Sequence, residues 1–183
     1  MISQIVDELK NTIVSAIRGT DDIASALRTA VKNQVTGLLG DSAQVAGSAL
    51  GSISNVVEAA IVAVDNTAIT ATMATKDAIT GALSAVSEVG GDVTTAAGNA
   101  ASGAVKGASE VGADVVSVAV SAVESAINAA GSLGKDTTEV AKHAAIGAVR
   151  AAGEISVETE KKVKEALLEA ASLPRETLKS ILG

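Results

Sequence analysis

Apolar and polar positions along the chain recur every eleven residues. Counted in elevens from Gln4, one position is mostly apolar or small, from Leu9 through Val86 to Val163. The position two residues further on is almost always polar, as at Asn11. Eleven residues in three turns correspond to about 98° per residue, close to the 100° of an α-helix. The apolar positions then form one arc of a helical wheel, and the alternation typical of strands is absent. The pattern predicts an all-α protein.

A longer repeat of 22 residues contains this one. The motif Ser-Glu-Val-Gly-x-Asp-Val occurs at 87–93 and again at 109–115, and the 22-residue blocks that begin at Gly81 and Gly103 share ten identical residues. Two units of eleven complete six helical turns, so each motif returns to the same helix face.

Two arrangements of these repeats are open. The apolar frame runs without insertion from residue 4 to about residue 171, which favours long, nearly continuous helices with right-handed or nearly straight coiled-coil-like packing. On this interpretation, Gly90, Gly112 and Gly134 allow close backbone approach. The Gly-Asp junctions favour the alternative, a solenoid-like stack of helices of about 18 residues, each ended by Gly and restarted by Asp.

Three regions are predicted along the chain. Gly19 followed by Thr-Asp-Asp ends an N-terminal helix over 1–19, and the repeat region covers 20–171. Pro174 should end the main helix and leave 172–183 as a short C-terminal helix or a tail. The apolar residues of this last region either dock on a neighbouring subunit or fray with the tail: Leu178, Ile181 and Leu182.

The composition offers little chemistry. The chain has no Phe, Trp, Tyr or Cys and a single His, His143, which lies in the polar column without a second His or a Cys beside it. No phosphate-loop or dinucleotide-binding motif accompanies the glycines. We therefore expect no enzyme activity, no catalytic residue, no metal site and no cofactor.

Charge and hydropathy restrict the partners and the location. A net charge of −7 and the lack of aromatic side chains argue against nucleic-acid binding. No window of 18 residues is apolar enough to predict a classical transmembrane helix, and the N-terminus lacks the features of a secretory signal. A cytoplasmic location is the default expectation, with export by an unrecognised route left open.

Poor helix propensity indicates that the helices need a partner surface. The chain contains 17 Gly, each of which costs about 1 kcal/mol relative to Ala inside a helix. Residues 37–102 hold only seven charged side chains, so contact on more than one side is expected. The small-xxx-small pair Gly103 and Gly107 agrees with close helix contact.

We expect the partner to be the protein itself, in an elongated bundle, filament or tube formed through Ala/Val/Gly stripes. The alternative is a lipid surface, such as a membrane or droplet coat. If self-assembly needs close approach, Gly112→Leu should disrupt it. The predicted self-association positions are the central apolar columns and the residues that flank them: Val86, Val89, Gly90, Ala97, Ala108, Val111, Gly112, Ala119 and Ala130.

The eleven-residue frame, with the segment Gly103–Ile127, resembles a broad class of Ala/Gly-rich helical proteins with 11-residue repeats. This class includes late-embryogenesis-abundant proteins, synuclein-like lipid binders and hendecad coiled coils. The resemblance covers nearly the whole chain and implies helix and interaction. The Lys-rich signature of synuclein-like repeats and the high charge of desiccation proteins are both missing here.

Overall fold

The described residues of the protein are helical, with turns between the helices. The structure is a computed structural model and describes residues 22–40, 47–65 and 67–183, together with residues 3, 4, 7, 8, 11, 12 and 15. Within this part of the chain there is no strand, which confirms the all-α prediction. In the described part of 22–183 there are eight helices, α1 Ile23–Gly40, α2 Gly47–Ala63, α3 Ala71–Glu88, α4 Val93–Glu110, α5 Val115–Ser132, α6 Thr137–Ile155, α7 Val157–Glu169 and α8 Arg175–Leu182. The helix predicted over 1–19 lies largely outside the described residues.

Three consecutive helices end in the same left-handed glycine turn. Gly90, Gly112 and Gly134 have φ angles of 71°, 68° and 66°. The residue after Gly90 donates its backbone N–H to the Val86 carbonyl at 2.8 Å, and Ala113 and Lys135 make the equivalent bonds. These bonds satisfy carbonyl groups at the helix end, and glycine adopts positive φ without steric cost.

The helix that follows each of these turns begins at an aspartate. Asp92 accepts the backbone N–H of Thr94 at 3.0 Å and that of Thr95 at 3.3 Å, and its second oxygen accepts the Thr95 hydroxyl at 2.6 Å. Asp114 caps α5 in the same way, and Asp136 accepts the backbone N–H groups of Thr138 and Glu139 at the start of α6. Each aspartate satisfies backbone donors that have no partner within the helix.

The preference for nearly continuous helices was therefore wrong, at least from α3 to α6. Each regular unit contains a helix of 18 or 19 residues followed or preceded by a four-residue turn. The hydrophobic frame continues across the turn because helix and turn together make one 22-residue period. The residue at each helix end, Val89, Val111 or Leu133, also packs back against the core and preserves the apolar pattern.

Each helix contacts the next helix and the next but one in the chain. Among the described helices no other pairs are in contact. Contacts between alternate helices keep a constant separation in sequence: Asn99 donates to the Leu50 carbonyl and Ser121 to the Thr72 carbonyl, both 49 residues apart. Alternate helices are therefore parallel neighbours, and each intervening helix returns the chain in the opposite direction. We call α1, α3, α5 and α7 the odd layer, and α2, α4, α6 and α8 the even layer.

The core between these layers consists mainly of Ala and Val. The largest fully buried side chains are Leu and Ile, among them Ile53, Ile79, Leu83 and Leu167. Because Ala fills little volume, this core can exclude water only if the helix axes lie close together. The core between the two layers is therefore thin.

Some junctions depart from the regular turn. Ala68 occupies the repeat position of Gly90, and α2 ends at Ala63 before a longer turn in which Thr70 caps α3. Between α6 and α7 the break is a single residue, Ser156, whose hydroxyl accepts the Thr159 N–H at 3.0 Å. A β-carbon disfavours the left-handed conformation, so a position without glycine needs another turn.

Candidate interaction surfaces

The predicted self-association columns lie inside the folded chain. The central members of these columns are fully buried between the chain's own helices: Val86, Ala97, Ala108, Ala119 and Ala130. Val89 and Val111 are half-buried at helix ends and pack against the same core. In the folded chain these side chains are covered by its own helices, and their role in self-association stays a prediction.

Gly90 and Gly112 have a different role from the one predicted. Both are exposed turn residues, and a β-carbon added to either would have no atom within 4 Å. These two glycines, together with Gly134, are needed for positive φ. Within the chain, close backbone approach occurs at other glycines, and approach of a second copy at Gly90 and Gly112 stays a prediction.

Close backbone approach occurs inside the helices of the even layer. A β-carbon on Gly103 would collide with the Ser54 carbonyl of α2, and one on Gly147 with the Gly98 carbonyl of α4. At Gly107 the added atom would lie 2.9 Å from the Glu58 carbonyl oxygen. Gly98 and Gly103 lie about 140° apart around α4, so that helix is contacted from two sides. This agrees with the expectation of contact on more than one side.

The odd layer relies more on side chains. Ser125 stands in α5 at the repeat position of Gly103 and Gly147 and is buried. Backbone contact through glycine occurs there between α1 and α3, where a β-carbon on Gly81 would lie 2.5 Å from the Arg28 carbonyl oxygen. Charge pairs join the same helices: Arg28 to Asp77 at 2.5 Å and Lys32 to Glu88 at 2.6 Å.

The outer surface of the even layer carries a group of carboxylates. Lys106 of α4 pairs with Glu154 of α6 at 2.8 Å, and this hydrogen bond is the main cause that lowers the pKa of Glu154. Glu58 of α2 has a raised pKa, first because burial disfavours its charged form and then because Glu110 and Glu154 repel it, against the attraction of Lys106. Negative charge therefore exceeds positive charge at this junction of α2, α4 and α6.

The outer surface of the odd layer is least charged on α5. Glu124 is the only charged residue in this helix, and Val116, Val120 and Ile127 are partly exposed. Among the described helices, α5 alone is long and apolar enough to cross a membrane by length and composition, which corrects the expectation that no 18-residue window would be. In the protein, 44% of this helix is buried. It packs against α3, α4, α6 and α7. The core helix of a globular protein can be equally long and apolar.

The C-terminal end is closed by an amphipathic helix. Leu178 of α8 is fully buried, and Ile181 and Leu182 pack against the same core. The helix contacts α6 and α7 of its own chain. Of the alternatives for 172–183, the structure therefore gives the short helix, docked intramolecularly. Helix α7 beside it has a charged surface with ion pairs at helical spacing, such as Glu158 with Lys162 at 2.6 Å.

The described residues show little that could perform chemistry. No group of three or more His, Cys, Asp or Glu side chains in this part of the chain could hold a metal ion. His143 is exposed, and its Nδ1 lies 3.0 Å from the Glu139 carbonyl oxygen of its own helix. Surface clefts in this part of the chain include two with volumes of about 250 and 330 Å³, close to the lower limit of about 300 Å³ for ligand pockets.

The contacts between alternate helices were not predicted from the sequence. One signal for them existed, a column of small residues 22 apart that includes Gly81, Gly103, Ser125 and Gly147. The charge pairs between helices had no comparable signal, because no spacing rule relates residues about 49 positions apart until the topology is known.

Comparison with known proteins does not supply a function. No protein-family model matches the chain, and no match to a curated protein was found.

Proposed function

We propose that this chain is a non-enzymatic structural protein, an α-solenoid scaffold built from 22-residue units. It folds as a single chain and presents its outer faces to partners. The observation that carries this proposal is the location of the Ala/Val/Gly stripes, which are buried within the chain. The glycine contacts between alternate helices agree with it, because each unit is packed against its neighbours in a continuous array.

In this proposal the apolar stripes pack against neighbouring repeats of the same chain instead of a second copy, and the role of the protein stays structural. The surface that poorly helical, glycine-containing segments require is supplied by adjacent units of the same chain. The charged surface of α7 and the docked α8 fit a terminal cap, which repeat arrays need for solubility. The cytoplasmic location stays a prediction, as does the lack of enzyme activity, which rests on one His and no Cys.

The test is the mass and shape of the purified chain in lipid-free buffer. We expect light scattering after size-exclusion chromatography to give one mass near 17.9 kDa over a hundredfold range of concentration, with strong helical circular dichroism. Electron microscopy of the same sample should show no ordered polymer. Filaments, tubes or a mass that rises with concentration would favour assembly between copies and contradict the single-chain scaffold.

A second candidate function is binding to a lipid surface. The observation in its favour is the outer surface of α5, where three partly exposed apolar residues accompany a single charge: Val116, Val120 and Ile127 beside Glu124. Lipid binding as the main role predicts flotation with neutral vesicles and little helicity without them. The scaffold predicts full helicity in buffer and no flotation. Val120→Asp should abolish lipid binding without changing helicity.

A further inference from the structure

On the outer surface of the even layer, α4 lies between α2 and α6 and contacts both, and this junction combines close backbone contact with an imbalance of charge. At Gly107, α4 lies against the backbone of α2, and an added β-carbon would be 3.3 Å from the Glu58 Cα. The nearest atoms of α2 to the added β-carbon are the Ile61 Cβ at 2.8 Å and the Glu58 carbonyl oxygen at 2.9 Å. Glu58 is half-buried, and Glu110 and Lys106 of α4 are among the charges that act on its carboxyl group.

The residues that flank Gly107 on α4 include one cation and one carboxylate. Lys106 precedes Gly107, and Glu110 follows Lys106 at the i,i+4 spacing that places both on the same helix face. Lys106 Nζ lies 2.8 Å from the Glu154 carboxylate of α6, so its charge is used mainly by that helix. Arg150 of α6 also attracts Glu154, so three carboxylates from three helices face two cations, Lys106 and Arg150.

The other helices that contact α2 have their own charge pairs. In α1 and α3, Arg28 pairs with Asp77 and Lys32 with Glu88, both in the odd layer, and Lys76 of α3 is exposed there. Burial and the repulsion of Glu110 and Glu154 outweigh the attraction of Lys106 and raise the pKa of Glu58. The geometry and the direction of this pKa shift agree.

We propose that this junction is a pH-responsive clasp: α2, α4 and α6 hold together most tightly when Glu58 carries a proton, and the contact weakens as Glu58 ionises. The proton comes from solvent and returns to it, and no other group changes covalently. This proposal goes beyond the scaffold function and is independent of it, because it concerns the stability of the folded chain whatever the partner.

The direction of the pH effect follows from the raised pKa. A carboxyl that binds its proton more tightly in the folded state stabilises that state most below its unfolded pKa. This contribution is lost as pH rises through the higher folded pKa. Glu58 should therefore lower the free energy of unfolding between about pH 4.5 and about pH 7. Asp92 and Asp114, whose pKa values are lowered, act in the opposite direction and mainly at lower pH.

The experiment measures urea unfolding of the full chain and of Glu58→Gln at about pH 7 and about pH 4.5. Glutamine has nearly the shape of protonated glutamate. At pH 7 we expect Glu58→Gln to lower the unfolding constant by about two- to fivefold, the size of a partly exposed charge interaction. At about pH 4.5 the unfolding constants of Glu58→Gln and the wild type should become nearly equal. Glu165 lies on the exposed surface of α7. In the Glu165→Gln variant, the free energy of unfolding should differ between the two pH values by as much as it does in the wild type.

A second measurement follows Glu58 directly by carboxyl-detected nuclear magnetic resonance. We expect the pKa of Glu58 measured in this way to lie above the ordinary value of 4.5. We also expect Glu110→Gln to lower this pKa by removing a repelling charge. A Glu58 titration at or below 4.5, or a Glu58→Gln variant with the same pH dependence as the wild type, would overturn the clasp.

Discussion

The even and odd layers use the same repeat and pack it differently. In the even layer, Gly103 and Gly147 bring adjacent helices into backbone contact. In α5 of the odd layer the same repeat position holds Ser125, a residue that has a β-carbon. Gly81 of α3 makes the same kind of contact with α1, so the odd layer differs from the even layer at α5, where Ser125 brings a side chain into the contact. A repeat can keep its length and turns while the spacing between its helices changes.

The physical reason lies in what small residues contribute. An Ala-lined contact buries little apolar area, so its stability depends on many short contacts between backbone atoms. Glycine inside a helix costs about 1 kcal/mol in propensity, and the contact it permits has to offset that cost. The even layer therefore gains stability from the residues that weaken its isolated helices.

The largest effect is expected from a substitution that breaks this backbone contact in the even layer alone. Gly103→Ala places a β-carbon against the Ser54 carbonyl, which belongs to a helix backbone and cannot move aside alone. We expect a loss of about 3 kcal/mol in the free energy of unfolding, measured in urea. Ser125→Ala, at the same repeat position in the odd layer, should change it by less than about 1 kcal/mol.

The matched control for Gly103 lies on the neighbouring helix. Gly51 of α2 is exposed, and an added β-carbon would meet no atom within 4 Å. Gly51→Ala should therefore stabilise the protein by about 0.5 to 1 kcal/mol through helix propensity. Equal effects of Gly51→Ala and Gly103→Ala would contradict the close packing of the even layer.

Much of the fold was predictable from the sequence. The eleven-residue periodicity predicted helix throughout, and Gly-Asp junctions such as Gly90 with Asp92 supported the stacked alternative. Choosing between the two arrangements required knowing that the four-residue turn completes a 22-residue period. An insertion of another length would have shifted the frame and revealed the turn.

The partner of the apolar face was not predictable in the same way. Periodicity shows that Ala97 and Ala108 need a covering surface. The periodicity does not depend on whether another chain or the next repeat supplies that surface. The short turns decide this, because they return each helix beside the one before. The carboxylate junction at Glu58 depends on that topology too, since its members come from three helices.

A smaller effect is expected at the turn that joins the two layers. Gly112 connects α4 of the even layer to α5 of the odd layer with a φ of 68°. Gly112→Ala should cost about 1 to 2 kcal/mol because a β-carbon disfavours this conformation. Gly112→Leu should cost about the same, since no atom lies within 4 Å of the added β-carbon. Urea unfolding of both variants measures this.

The comparison of Ala with Leu distinguishes backbone conformation from steric approach. A leucine effect several times larger would mean that Gly112 faces a close neighbour, as the sequence had indicated. Gly131→Ala provides the control, because Gly131 is exposed inside α5 and its nearest neighbour would be the Thr137 methyl at 3.7 Å. Gly131→Ala should leave the free energy of unfolding unchanged or raise it.

The smallest effect should be equal in the two layers. Asp92 begins a helix of the even layer and Asp114 one of the odd layer, with the same bonds to backbone and hydroxyl donors. Because capping is local, Asp92→Ala and Asp114→Ala should each cost about 1 kcal/mol, in contrast to the unequal glycine and serine substitutions.

The pH dependence of these caps sharpens the same comparison. Hydrogen bonds from the Thr95 and Ser117 side chains are the main causes that lower the pKa of Asp92 and Asp114. Their stabilisation is present above the unfolded value of 3.8 and is lost as pH falls through the folded pKa. Asp92→Asn and Asp114→Asn, which can still cap, should each reduce the acid-induced loss of stability seen in urea titrations between about pH 5 and pH 2. An effect confined to Asp92 would mean that the tighter packing of the even layer reaches its helix ends, and that capping here is not local.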